Sequence, residues 1–234
     1  MAVKISLKDL LEAGCHFGHH AKRWHPKMEP YLYMVRDGIH VFDLVKTKEG
    51  LEKAAAFAKD TAAKGGTIVF VGTKRQAKAV IAEEAKKIGI PYVSQRWLGG
   101  TITNWEQIKK RIDKLVGMRD KREKGEYKKY TKKEQLLLDR EVARLERFFG
   151  GLVSLSGIPE AIFVVDVKKE EAAVKEARKK EVKVIGVVDS NADPDSVDCV
   201  IPCNDDAVGA IRLVVAIMAK AVKEGKAVYA KKHA

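Results

Sequence analysis

Cysteine is scarce in this chain, at three residues in 234. An odd, small number excludes a disulfide-stapled secreted scaffold and fits a reducing compartment. Long apolar runs are missing too. The N-terminal MAVKISLKDLLEAG holds no stretch of signal-peptide length. The most apolar late run, AIRLVVAIMAKAV, is interrupted by Arg212 and Lys220 and is too short to span a bilayer. Neither G-x-G-x-x-G nor the Walker pattern G-x-x-x-x-G-K-[ST] occurs, and neither a nucleophile-elbow serine nor H-E-x-x-H is present. The expectation is a soluble cytoplasmic protein that is not an enzyme.

What the chain has in excess is positive charge. A net +13 from 45 Lys/Arg against 32 Asp/Glu repels itself in a compact fold, so a polyanionic partner is expected. Nucleic acid leads the candidates, with an anionic membrane surface behind it.

The hydrophobic pattern gives an α/β fold. KISLKDLLEAG reads as a short helix with Ser6 as cap and Gly14 as stop. A loop follows, then YLYMVR and IHVFD as a hairpin around Asp37-Gly38. A helix is expected from about Lys46 to Ala63, ended by Gly65-Gly66. TIVFVG, AIFVVD, VKVIGVVD and DCVIP read as buried strands, with a short one in PYVSQR. Helices alternate with them, the last from about Asp205 to Glu224. This rhythm implies a flavodoxin/Rossmann-like doubly wound parallel sheet. Between its halves lie two amphipathic segments, each opening on a Thr-x-x-Glu capping pattern, TNWE and TKKE. Trp105, Ile108, Ile112 and Leu115 on one, and Leu138, Val142, Leu145 and Phe149 on the other, make apolar seams. They predict an inserted antiparallel α-helical coiled-coil hairpin with KREKGEYKKY as its basic tip. Fifteen Lys/Arg against nine Asp/Glu from Asn104 to Phe149 give it a net +6. The organisation expected is therefore an N-terminal helix, basic loop and β-hairpin over 1–45, an α/β core over 46–102 and 150–226, the hairpin insertion over 103–149, and a basic C-terminal tail over 227–234.

Five stretches carry chemistry. CHFGHHAKRWHP holds four of the six histidines. Their spacing is irregular, and Lys22, Arg23 and Lys27 interleave with Phe17, Trp24 and His25, as on a surface that meets RNA. FVGTKRQA sets Thr73, Lys74 and Arg75 at a strand end where phosphates bind in such folds. A nucleotide or an RNA backbone would satisfy the same groups. QRWLGGTITNW offers Arg96 and Asn104 beside two tryptophans, of which Trp105 belongs to the seam. Lys109, Lys110 and Arg111 follow on the first hairpin helix. DSNADPDSVD and CNDDAV gather Asp189, Asp205 and Asp206, which could hold a hard cation; equally, Asp193 and Pro194 make a turn and Asn204 or Asp205 caps the last helix. Cys15, Cys199 and Cys203 read as buried thiols.

Six motifs in order, GCHFGHHAKRWHPKM, FVGTKRQA, QRWLGGTITNW, GIPEAIFVVD, VVDSNADPDSVD and IPCNDDA, resemble the bacterial type of the ribosomal protein S-two family. The likeness runs from about Lys8 to Gly225. It implies a structural constituent of the small ribosomal subunit that binds its rRNA and helps to dock protein S-one for messenger capture in translation. Neighbouring small-subunit proteins would be its other partners, with no membrane and no stable homo-oligomer. The resemblance places Lys22, Arg23, Trp24 and Lys27 in the RNA-facing N-terminal segment, and Thr73 to Arg75 and Arg96 in other basic loops. It implies no required cofactor, though the edge around Asp189, Asp205 and Asp206 matches a part of the family that can hold a metal, zinc or magnesium. The chain departs from the family at its three cysteines and in its short basic tail. The rivals are a nucleotide- or phosphosugar-using enzyme on the same sheet and a free RNA chaperone.

Overall fold

A computed structural model describes residues 5–233. Its centre is a parallel five-stranded sheet. The strands that form it are β4 (Ile68–Val71), β5 (Tyr92–Val93), β6 (Ala161–Val165), β7 (Lys183–Val188) and β8 (Cys199–Pro202), in the order β5-β4-β6-β7-β8. Every residue of β4 and β6 is buried, because helices cover both faces and each pleat position needs an apolar side chain. Alternate residues serve opposite layers. Ile68, Phe70, Phe163, Val165 and Ile185 face α2 (Leu44–Ala63), α3 (Lys78–Ile88) and α7 (Val208–His233). Val69, Val71, Ile162, Val164 and Val184 face α4 (Trp105–Glu123), α5 (Lys132–Phe149) and α6 (Glu171–Lys179). The mixed α/β fold with its parallel sheet is the one expected from sequence.

The helix α7 runs to His233, well past Glu224, where its apolar run was expected to end. Two contacts extend it. Lys226 Nζ donates to the carbonyls of Ile88 and Gly89 at 3.3 and 2.9 Å, satisfying the C-terminal end of α3. The Tyr229 ring lies over Gly65, where φ is +84° and a Cβ would lie 2.6 Å from the ring. Gly225 lets α7 approach α2 so closely that an added Cβ would sit 2.3 Å from the Lys59 carbonyl oxygen.

Helices α4 and α5 pack on each other through Ile108, Ile112, Leu115, Val142, Leu145 and Phe149, all buried. Lys114–Glu141 and Arg122–Asp139 tie their flanks, at 2.9 and 3.4 Å. The TKKE box forms: Thr131 accepts from the Glu134 backbone while the Glu134 carboxylate accepts from the Thr131 N–H. The TNWE box does not. Thr103 gives its hydroxyl and backbone N–H to Glu176 instead, and α4 starts after Asn104 without a side-chain cap.

The N-terminal segment begins with α1 (Leu7–Glu12), capped by Ser6 as expected. Beyond the turn at Gly14, part of the stretch read as loop is a strand, β1 (Phe17–His20). It joins β2 (Leu32–Arg36) and β3 (Ile39–Phe42) in an antiparallel sheet of order β1-β3-β2. Sequence reading misses β1 because it is short, histidine-rich and broken by a register shift, so no alternation shows.

Candidate nucleic-acid interface and the acidic sheet edge

The carboxyl ends of β4, β6, β7 and β8 lie along one edge, as they must in a parallel sheet; the loops after β7 and β8 are acidic, that after β6 brings Asp166 and Glu170, and that after β4 brings Thr73 and Lys74. Thr73, just after β4, donates from its backbone N–H and its hydroxyl to Glu170 Oε1 at 2.9 and 2.5 Å. Lys74 turns inward and meets three carboxylates: Asp205 Oδ1 at 2.5 Å, Asp206 Oδ1 at 2.6 Å and Asp166 Oδ2 at 3.2 Å. Burial opposes its charge, but the hydrogen bonds of Asp205 and Asp206 outweigh that and hold the ammonium above the ordinary lysine range. Asp205 itself is nearly inaccessible. Burial, with the charges of Asp189 and Asp166, pushes its carboxyl up to about 7 despite Lys74. Thr73 and Lys74, expected to hold a phosphate, are thus occupied by the protein's own anions. A nucleotide phosphate entering here would meet four carboxylates, which argues against the nucleotide enzyme.

His19 reaches the same edge from β1. Its Nδ1 lies 2.9 Å from Asp189 Oδ1 and its Nε2 lies 3.4 Å from Asp206 Oδ2. The hydrogen bond to Asp189 raises its pKa against the opposing effect of burial. Asp189 also accepts from the backbone of Ser190 and of Asp205, so it fixes the loop as well as the imidazole. Donor atoms of His19, Asp205 and Asp206 lie within 4.8 Å of one another. One imidazole nitrogen with carboxylate oxygens is a donor set that zinc accepts, but the Lys74 ammonium already pairs with both Asp205 and Asp206. Sequence reading found Asp205 and Asp206 but not His19, which it grouped with the RNA-facing histidines. Its position on a strand running toward the acidic edge is the missing signal. Asp193 accepts from the N–H of Asp195, making the expected turn, and Asn204 Oδ1 accepts from the N–H groups of Asp206 and Ala207 in the turn that precedes α7.

The remaining histidines divide by burial. His40 is buried against Trp24, ring centroids 5.1 Å apart, and burial lowers its pKa, as it does for His16. His25 is half-buried, its backbone N–H bonded to the Ser190 carbonyl at 2.7 Å. Lys27 is exposed but pairs with Asp195 at 2.6 Å. Lys22, Arg23, Arg75, Arg96, Asn104, Lys109, Lys110 and Arg111 are all exposed. Trp97, in contrast, is buried and donates its indole N–H to Glu176 at 2.8 Å. Cys15 and Cys203 are buried, as expected of small apolar thiols, and all three cysteines are free.

One more surface is apolar. The register Phe17↔Val41↔Met34 sets these three on one face of the N-terminal sheet, with Ile39 two residues along β3 on the same face. Phe17 is 50% and Met34 48% exposed, and Ile39 is exposed as well. No helix among the described residues is long and apolar enough to cross a membrane.

A sequence model of the family described as Ribosomal protein S2 matches residues 10–225. The chain is also 50% identical, over 222 residues, to the small ribosomal subunit protein uS2 of Roseiflexus sp. (strain RS-1), covering 95% of this chain and 85% of that protein. The strand ends are filled by the protein's own carboxylates rather than left open for a substrate, and the likeness spans the sheet, the paired helices and the acidic loops. The chain therefore belongs to the ribosomal protein S2 family, a structural and non-enzymatic component of the small ribosomal subunit.

Proposed function

We propose that the protein binds small-subunit rRNA, in the cytoplasm and on the ribosome, through its exposed basic residues. The observation that carries this is the segregation of charge. Carboxylates are drawn to the sheet edge, where Lys74 and His19 answer them, while Arg23, Arg75, Arg96 and the Lys109–Arg111 run face solvent. Arg and Lys on the outside, with Trp24 beside them, offer phosphate contacts and a stacking surface. Helices α4 and α5, with the turn between them, act as a coiled-coil hairpin that carries much of the charge away from the α/β core. A filter-binding salt titration on the cognate rRNA domain tests it. If six or more phosphates are neutralised, affinity falls roughly a thousandfold between 50 and 200 mM salt. Binding that ignores salt, or no binding, overturns the proposal.

The apolar face of Phe17, Met34, Ile39 and Val41 supports a second contact, the docking of protein S-one. A face of this kind, left open beside a polar rim, fits a protein partner rather than RNA. The strand β1 links it to the acidic edge, because Phe17 and His19 are two residues apart. A zinc or magnesium ion held by His19, Asp205 and Asp206, with Asp189 orienting the imidazole, would supply a fixed positive charge that steadies β1. Phe17→Glu should abolish capture of S-one while leaving rRNA binding intact. Equal capture by both proteins would remove the face from the docking surface.

A further inference from the structure

The turn end of the α4–α5 pair holds a cleft of about 530 Å³ between the two helices, within the range of small-ligand sites. Tyr127 and Tyr130 stand at its mouth, edge to face with centroids 6.3 Å apart. Tyr127 is oriented by its hydroxyl, which donates to the Met118 carbonyl at 3.2 Å. Tyr130 is 42% exposed. Met118 and Leu138 line the floor.

Charge at the rim is only partly balanced from within, because Glu126 also lines the cleft and stands against Lys121 and Lys129 together. Glu141 is taken up by Lys114 at 2.9 Å and Arg144 at 3.3 Å. Arg119 and Arg122 are spent on Glu146 and Asp139. Lys121 and Lys129 line the cleft outside these pairs, and Lys129 Nζ lies only 5.6 Å from the centre of the Tyr130 ring. A planar aromatic wall, an apolar floor and two ammonium groups at the rim together select a planar ring that carries an anion.

We propose that this cleft receives one unpaired nucleotide of the RNA, its base stacked on Tyr130 and its flanking phosphates on Lys121 and Lys129. The proposal rests on the rRNA-binding reading and sharpens it to a single-stranded site. A duplex keeps its bases stacked inside and offers nothing to the tyrosine, whereas an extruded base gains its stacking partner here. An acidic peptide would satisfy the lysines and leave the ring unused.

The test uses the full chain and three probes: a short single-stranded RNA containing 2-aminopurine, a duplex of the same sequence, and a polyglutamate peptide. Stacking is worth about 1–3 kcal/mol per base, so the double variant Tyr127→Leu/Tyr130→Leu should lose about 5- to 150-fold in single-strand affinity. Duplex affinity should change by less than about twofold, and 2-aminopurine emission should be quenched by the unmodified protein only. Tyr130→Ser, at an exposed position, gives the same reading if the double variant fails to fold. Unchanged single-strand affinity in either variant, or displacement of the RNA by polyglutamate at equal concentration, overturns the nucleotide site. If duplex binds but single strand does not, only this site falls. If neither RNA binds, the rRNA reading falls with it.

Discussion

The Glu176 carboxylate should be among the most costly single side chains to remove. It projects from α6 and is only 8% exposed, yet it accepts four hydrogen bonds from the segment joining β5 to α4. Trp97 Nε1 lies 2.8 Å from Oε2, while Ile102 N, Thr103 N and Thr103 Oγ1 lie 3.0, 2.8 and 2.7 Å from Oε1. Burial would raise its pKa, but these donors outweigh burial and lower it. Glu176→Ala strands an indole N–H and two backbone N–H groups in the core. Hydrogen bonds to a charged group contribute about 1.5–3 kcal/mol each, and bonds to one carboxylate are not additive. A loss of about 3–4 kcal/mol follows, or roughly 6–16 °C in Tm for a chain of this size. Glu176→Gln keeps one oxygen for the three Oε1 bonds and turns an N–H toward Trp97, so it should lose about 1–2 kcal/mol. The sign with pH is fixed by the lowered pKa. The stabilisation is complete above the unfolded value near 4.5 and is lost as pH falls through the lower folded value. The gap between the parent protein and Glu176→Gln should therefore narrow on acidification below about pH 4.5. Urea unfolding followed by circular dichroism at pH 7 and at pH 3 measures all three proteins. An alanine variant within 1 kcal/mol of the parent at pH 7, or a gap that widens in acid, would refute the reasoning.

Gly225→Ala and Gly117→Ala should move stability in opposite directions. At 225 the new Cβ meets the Lys59 carbonyl at 2.3 Å and costs about 1–3 kcal/mol in forced separation of α2 and α7. At 117 it meets nothing within 4 Å, and the helix gains about 0.5–1 kcal/mol; thermal melts of both variants compare the signs. Arg23→Ala combined with Arg96→Ala should flatten the salt dependence of rRNA binding by about two in log–log slope, about one for each phosphate no longer neutralised, in the filter-binding assay. Asp205→Asn should abolish retention of zinc after equilibrium dialysis while Asp193→Asn retains it, because Asp205, unlike Asp193, belongs to the donor cluster of His19 and Asp206. Equal zinc content in the two variants would disprove that assignment.

How much of this was legible in the sequence depends on the range of the interaction. The sheet was legible because burial on both faces writes itself into consecutive residues: IVFV and AIFVV admit no polar side chain. The seams of α4 and α5 were legible for the same local reason, at a period near 3.6 instead of two. The site was legible in kind and not in detail. Lys74 follows a phosphate-site strand and reads as a phosphate ligand, yet Asp205 and Asp206, 131 and 132 residues further on, capture it. Thr103 has the spacing of a capping residue, but Glu176 on another helix takes its hydroxyl. His19 reads as one basic group among several until β1 carries it to Asp189. In each case a local rule names the right chemistry, and a carboxylate distant in sequence decides which partner receives it. Charge-assisted hydrogen bonds at a sheet edge are strong enough to override a cap worth about 1 kcal/mol. Lys27 is exposed and still captured by Asp195, whereas Arg23, Arg75 and Arg96 lie in no ion pair among the described residues. The same sorting that hides Lys74 therefore leaves Arg23, Arg75 and Arg96 open to a polyanion, and the net charge of +13 is an understatement of what the outer surface presents.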